Sequence, residues 1–173
     1  MIRTLTLAGL IALLPATSFA APITSADGWQ TFYFGDTGSS WLDAPAFDDT
    51  ALPSHFELTL DHAALLQVTD GGFAGDRFDV QVNGKHLGFT STVAAGTDDL
   101  GLDFDAAYAS TTHSHGSWLL AAGSYTITGT AADSAFGAGI GALRVAEVPE
   151  PSSLAMLLGG LGLLGATRFA RKR

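Results

Sequence analysis

Hydrophobic and polar positions alternate with a period of two through much of this chain. In HFELTLD (residues 55–61), Phe56, Leu58 and Leu60 share one side and Glu57 and Thr59 the other. That is the signature of a strand with one buried face. WQTFYFG (29–35) and ALLQVTD (64–70) have the β-branched and aromatic content of strands. In DRFDVQVNGKHLGFTS (76–91), Phe78, Val80 and Val82 alternate with Asp79 and Gln81, and Leu87 and Phe89 return after Asn83-Gly84. An Asn-Gly pair supplies the two positive-φ residues of a type I′ turn, so this stretch predicts a hairpin. GSYTITGTA (123–131) and GIGALRVAEV (139–148) complete the set. Helical periodicity is nearly absent: FDAAYAS (104–110) has room for one turn and no more, inside a long irregular connection over 91–117. Short strands between Gly-rich turns predict an all-β body, a β-sandwich of jelly-roll type, over residues 21–147.

The two ends break the alternation. MIRTLTLAGLIALLPATSFA has one basic residue, Arg3, an apolar stretch from Leu5 to Leu14, and Ser18 and Ala20 at the small positions of a cleavage site. This predicts a signal peptide over 1–20, removed by signal peptidase after Ala20. At the other end, Pro151 to Thr167 carries no charge, and Arg168, Arg171, Lys172 and Arg173 follow. As a helix at about 1.5 Å per residue, that run reaches roughly 25 Å, the low end of a membrane span. The basic cluster would stop transfer and remain cytoplasmic, leaving the body outside.

Val148-Pro149-Glu150-Pro151, the apolar run and the Arg-rich tip together resemble the PEP-CTERM protein-sorting signal of Gram-negative bacteria, over residues 148–173. The resemblance implies recognition of the Pro-Glu-Pro motif by an exosortase, transient membrane anchoring, and delivery to the cell surface or matrix. It also implies association with exopolysaccharide and biofilm. The body, from Val68 to Val145, resembles a group of secreted bacterial and fungal β-sandwich proteins of unassigned function. It shares with them VTD, Gly-Asp before an aromatic strand, the Asn-Gly turn, and Ser-His-Gly ahead of LAAGSYTI.

Charge narrows the partners. All 17 acidic residues of the 173-residue chain lie between Asp27 and Glu150, opposed there only by Arg77, Lys85 and Arg144. Such a body repels phosphate backbones, so nucleic acid is not an expected partner, and it attracts cations. There is no cysteine, which excludes a disulfide framework and thiolate chemistry.

Four groups of residues are candidates for chemistry. Asp98, Asp99, Asp103 and Asp105 put four carboxylates on one loop, which either bind Ca²⁺ or stay solvated. Asp70 and Asp76 flank GGFAG and either ligate Ca²⁺ or cap turns through Asx-type hydrogen bonds. His113 and His115 would share a face on a strand and could hold Zn²⁺, but no third ligand is identifiable. Trp29, Trp41 and Trp118 are either core or sugar-stacking platforms, and the polar flanks of Trp41 make it the candidate for an exposed platform. Ser114-His115 is not a catalytic pair, there is no G-x-S-x-G stretch, and no carboxylate pair stands out for a glycosidase. The expectation is an exported, non-enzymatic protein with a structural or adhesive role. The alternative is a Ca²⁺-assisted module that binds exopolysaccharide. No cofactor is required on the first reading.

Overall fold

Nine strands and one short helix form in the computed structural model, which describes residues 22–148. The strands are β1 (Pro22–Ile23), β2 (Gln30–Phe34), β3 (Phe56–Leu60), β4 (Ala64–Asp70), β5 (Arg77–Val82), β6 (Lys85–Phe89), β7 (His115–Leu120), β8 (Gly123–Asp133) and β9 (Gly139–Glu147). They form two sheets, ordered β1-β3-β8-β5-β6 and β2-β9-β4-β7. The protein is an all-β sandwich, as the alternation requires. The expected signal peptide, Pro149-Glu150-Pro151, the apolar run and the basic tip lie outside the described residues. Among the described residues, no helix is long and apolar enough to cross a membrane.

The inward positions build one core. Phe32 and Phe34 of β2, Leu66 and Val68 of β4 and Leu143 and Val145 of β9 face Leu58 of β3, Phe78 and Val80 of β5 and Ile127 of β8. Burying each such side chain stabilises the fold by about 1.5–3 kcal/mol. Asn83 and Gly84 have φ of 51° and 71°, as a type I′ hairpin turn needs.

Trp41 is not the exposed platform that its polar neighbours suggest. It is fully buried, stacked on Phe32 at 3.8 Å between ring centroids and edge-on to Phe78. The reason is backbone pairing. β3 accompanies only the first half of β8, and residues 38–41 take its place along the second half. Gly38 N–H donates to Ala131 O, Ala131 N–H to Ser39 O, and Trp41 N–H to Gly129 O at 3.0 Å. The segment therefore behaves as an irregular strand, and its Trp points into the core.

The long connection is also shorter than the sequence suggests, because β7 occupies 115–120. Its inward face reads Gly116, Trp118, Leu120. Trp118 folds back over Gly116 and reaches Gly88 of β6, joining the free edges of the two sheets; a Cβ on either glycine would overlap the indole. The helix α1 (Phe104–Ala109) is slightly longer than one turn and is capped by Asp103, whose carboxylate accepts the Ala106 N–H.

The connections sort by length onto opposite ends. Short turns at 61–63, 83–84 and 121–122 cluster at one end, where Ser25 and Glu147 also meet. The loops 35–55, 71–76, 90–114 and 134–138 cluster at the other. Strand β9 runs from the long-loop end, at Gly139 and Ile140, to the short-turn end at Glu147.

Candidate functional site

The long loops enclose an apolar cleft of about 470 Å³. Tyr33, Phe47, Phe73, Leu102, Phe136 and Ile140 line it, with Gly71, Gly72 and Gly139 forming part of its wall. Four of these side chains are exposed well beyond what a core tolerates: Phe47 by 87%, Leu102 by 67%, Phe136 by 53% and Phe73 by 47%. Phe73 and Phe136 form a tilted pair with centroids 5.5 Å apart. A contiguous apolar patch rimmed by polar residues marks an interaction surface.

The cleft is a built structure. Loop 71–76 pairs with 96–101 through Gly72 N–H to Gly101 O, Leu100 N–H to Gly72 O and Ala74 N–H to Asp98 O. His113 braces it from below, with Nε2 3.0 Å from Gly72 O. Gly71 has no room for a side chain, since a Cβ there would meet Phe104 at 2.7 Å.

Beneath the cleft, the structure brings Asp70 and Asp76 together. Both are buried. Asp76 N–H donates to Asp70 Oδ2 at 3.2 Å, and Asp76 Oδ1 accepts the Ala135 N–H at 2.8 Å. The pair thus ties loop 71–76 to loop 134–138. Asp70 Oδ1 has no hydrogen-bond partner. Desolvation, and then the neighbouring charge of Asp76, push the Asp70 carboxyl up to about 8. Desolvation pushes Asp76 up to about 6, against the pull of the Ala135 N–H. The backbone donors around these carboxyls do what Asx-type caps do.

The other acidic group does not converge. Asp99 accepts the Gly101 N–H in a local turn, Asp103 caps α1, and Asp105 faces away to β9. Among the described residues, no three His, Asp or Glu side chains are grouped to hold a metal ion. Of the two readings of Asp98, Asp99, Asp103 and Asp105, the geometry favours a solvated loop, in which Asp99 serves a turn, Asp103 a cap and Asp105 an ion pair. Asp105 Oδ1 accepts from Trp29 Nε1 at 3.1 Å and Arg144 Nη1 at 2.6 Å. These two donors hold its carboxyl below the ordinary value. The Arg144 guanidinium lies 4.3 Å above the Trp29 ring, so this Trp is covered as well.

His113 and His115 do not form a metal pair. His113 precedes β7 and is buried, with Nδ1 3.2 Å from Thr112 Oγ1 as well as Nε2 on Gly72 O. His115 packs against Tyr108 with its Nδ1 on His113 O.

The residues that sequence reasoning missed are the cleft phenylalanines. Each sits alone among small or acidic residues: PAFDD around Phe47, GGFAG around Phe73 and SAFGA around Phe136. A large apolar side chain in a loop of that kind, with no alternating partner, was the available signal.

At the far end of β9 the chain changes character. Residues 147–173 match the family model of the PEP-CTERM protein-sorting motif. The match begins at the last residue of β9 and covers the sorting segment only. A chain carrying this motif is processed by an exosortase, exported and sorted to the cell surface. No curated protein matches the chain. Among solved structures, the body is similar to the pre-peptidase C-terminal domain of collagenase from Bacillus anthracis. Identity is 8% and the TM-score 0.38, over 78% of this chain and 99% of that one. Glu147, where the match begins, and Ile140 of the cleft thus lie near opposite ends of one strand. Seven residues at about 3.3 Å each place them roughly 23 Å apart.

Proposed function

We propose that this is a non-catalytic surface protein that adheres through the apolar cleft, and that it belongs to the exopolysaccharide matrix outside the cell. The observation that carries this reading is the placement of the cleft. The match to the sorting motif begins at Glu147, at one end of the sandwich, and the exposed phenylalanines crown the other. A tethered or freshly released body would present the cleft outward. Four exposed apolar side chains cost solubility and do nothing for the core, so a partner is the economical reason for them.

The Ca²⁺-assisted glycan module is less well supported. Its platform, Trp41, is in the core. Sugar recognition needs several convergent polar groups, and the side chains lining the cleft offer only Tyr33 and Asp76.

The test is made in the native host. P149A/E150A/P151A is expected to abolish surface delivery. F73S/F136S is expected to reach the surface at the normal level yet to wash out of the matrix several-fold faster than wild type. Equal matrix retention of F73S/F136S and wild type would defeat the adhesive reading. Turnover of purified matrix polymer by the wild-type protein would defeat the non-catalytic one.

A further inference from the structure

We propose that the cleft binds a cationic amphipathic peptide segment, with its apolar side chains between Phe47, Phe73 and Phe136 and its Lys or Arg residues on the surrounding loops. This names the partner for the adhesive reading above and rests on it.

Charge complementarity selects the occupant. The four loops at the cleft end, 35–55, 71–76, 90–114 and 134–138, hold nine aspartates and no Lys or Arg. Eight of the nine are exposed, among them Asp43, Asp48 and Asp49 beside Phe47, and Asp98, Asp99 and Asp103 beside Leu102. The ninth, Asp76, lies in the lining itself. The two cations that touch these loops are both engaged: Arg77 by Asp133 at 3.7 Å and over the Phe89 ring, and Arg144 by Asp105 at 2.6 Å and over the Trp29 ring. An apolar slot inside a one-signed acidic rim repels anionic lipid surfaces and nucleic acid, and raises the local concentration of cations. An uncharged apolar ligand would use the slot but gain nothing from the rim. A small cation would use the rim but leave the phenylalanines wet. A segment with both features uses both.

Size agrees. A cavity near 470 Å³ takes two or three apolar side chains, the number that one face of a short helix or strand offers as anchors. The cleft is also prepared in advance, since its loops are cross-bonded through Gly72, Ala74 and Asp76. Little ordering cost is left for binding.

The experiment uses the processed protein isolated from the host surface. The probe is a synthetic amphipathic Leu/Lys peptide of about 15 residues, the length at which an isolated helix becomes viable. Binding is read by fluorescence anisotropy at low and high salt. Expected are saturable one-to-one binding, a loss of about tenfold or more for F73S/F136S, and a weaker salt dependence for D98N/D99N. F47S/L102S, which alters the two most exposed positions, repeats the first comparison should F73S/F136S fold poorly. Equal binding of a Leu/Glu peptide overturns the proposal. So does Lys homopolymer binding as tightly as the amphipathic peptide with no response to F73S/F136S, which would be simple polyelectrolyte attraction. Displacement of the peptide by matrix oligosaccharide also overturns it, in favour of a glycan. If F73S/F136S abolishes matrix retention while the Leu/Lys peptide fails to bind, the partner class falls and the adhesive reading stands. If the peptide binds at the cleft but F73S/F136S is retained in the matrix, the adhesive reading falls.

Discussion

Gly129→Ala should destabilise the sandwich by about 3 kcal/mol, more than most single methyl additions (roughly 1–3 kcal/mol in packed cores). Gly129 sits in the middle of β8, and a Cβ there would overlap the six-membered part of the Trp41 indole. The ring cannot step aside. Phe32 is stacked on one face, and Phe56 and Phe78 meet it edge-on. The backbone is equally fixed, because Trp41 N–H is bonded to Gly129 O itself. Relief therefore requires the indole to leave, and emptying a buried aromatic site costs about 3–5 kcal/mol. Gly96→Ala is the control: a Cβ there meets nothing within 4 Å, and the expected change is within about 0.5 kcal/mol. Urea denaturation of the two variants checks this. In a W41F background the smaller ring should leave room, so that Gly129→Ala costs less than in wild type, a coupling between neighbours. Equal costs in the two backgrounds would show that the glycine is needed for some reason other than the indole.

The same contact explains what was legible in the chain. Where one face alternates cleanly, as in ALLQVTD or DRFDVQV, strand bounds follow directly: β4 occupies the predicted residues and β5 lies inside the predicted hairpin. Where a large side chain fills the space of two positions, the alternation fails. Trp118 covers Gly116, and its strand reads as loop. Trp41 covers Gly129, and the polar TGSSW stretch reads as exposed although its backbone is paired. The glycine interrupting TITGTA was the trace of that contact, since Gly inside a strand marks a close approach. For the site, the sequence left Asp70 and Asp76 open between a Ca²⁺ site and the caps of a turn. It could not say that the turn would be buried, because burial depends on loop 134–138 folding over it. The four loop aspartates looked like one cluster only because they are close in sequence. Asp105 points to Arg144, which is 39 residues away.

Stability should fall as pH rises through neutrality, and Asp70→Asn should remove much of that fall. Both carboxyls of the buried pair have native values raised above 3.8, to about 8 for Asp70 and about 6 for Asp76. Between pH 4 and those values, the native state holds protons that the unfolded chain has released. Each such proton costs the native state about 1.4 kcal/mol per pH unit. The pair therefore disfavours folding progressively from pH 4 to pH 8 and adds nothing further above that. The exposed Asp27, Asp48 and Asp105 act in the opposite sense. Their values are lowered by hydrogen bonds, and their support is lost as pH falls below about 4. The maximum should lie near pH 4, with a decline of several kcal/mol by pH 8, all of it above about pH 6 carried by the Asp70 carboxyl. Asparagine at position 70 keeps an acceptor for the Asp76 N–H and removes the charge that repels Asp76. D70N is expected to be more stable than wild type at pH 8, similar at pH 4, and flatter between them. Ionisation places two buried like charges beneath the loops that carry Phe73 and Phe136, and their repulsion and need for water strain that packing even though the Asp76 and Ala135 N–H groups favour the charged form. Peptide binding at the cleft should accordingly weaken in wild type above pH 7 and hold in D70N. Urea midpoints across pH 4–9 decide the matter: equal slopes for wild type and D70N would mean that the pair is not the group that titrates.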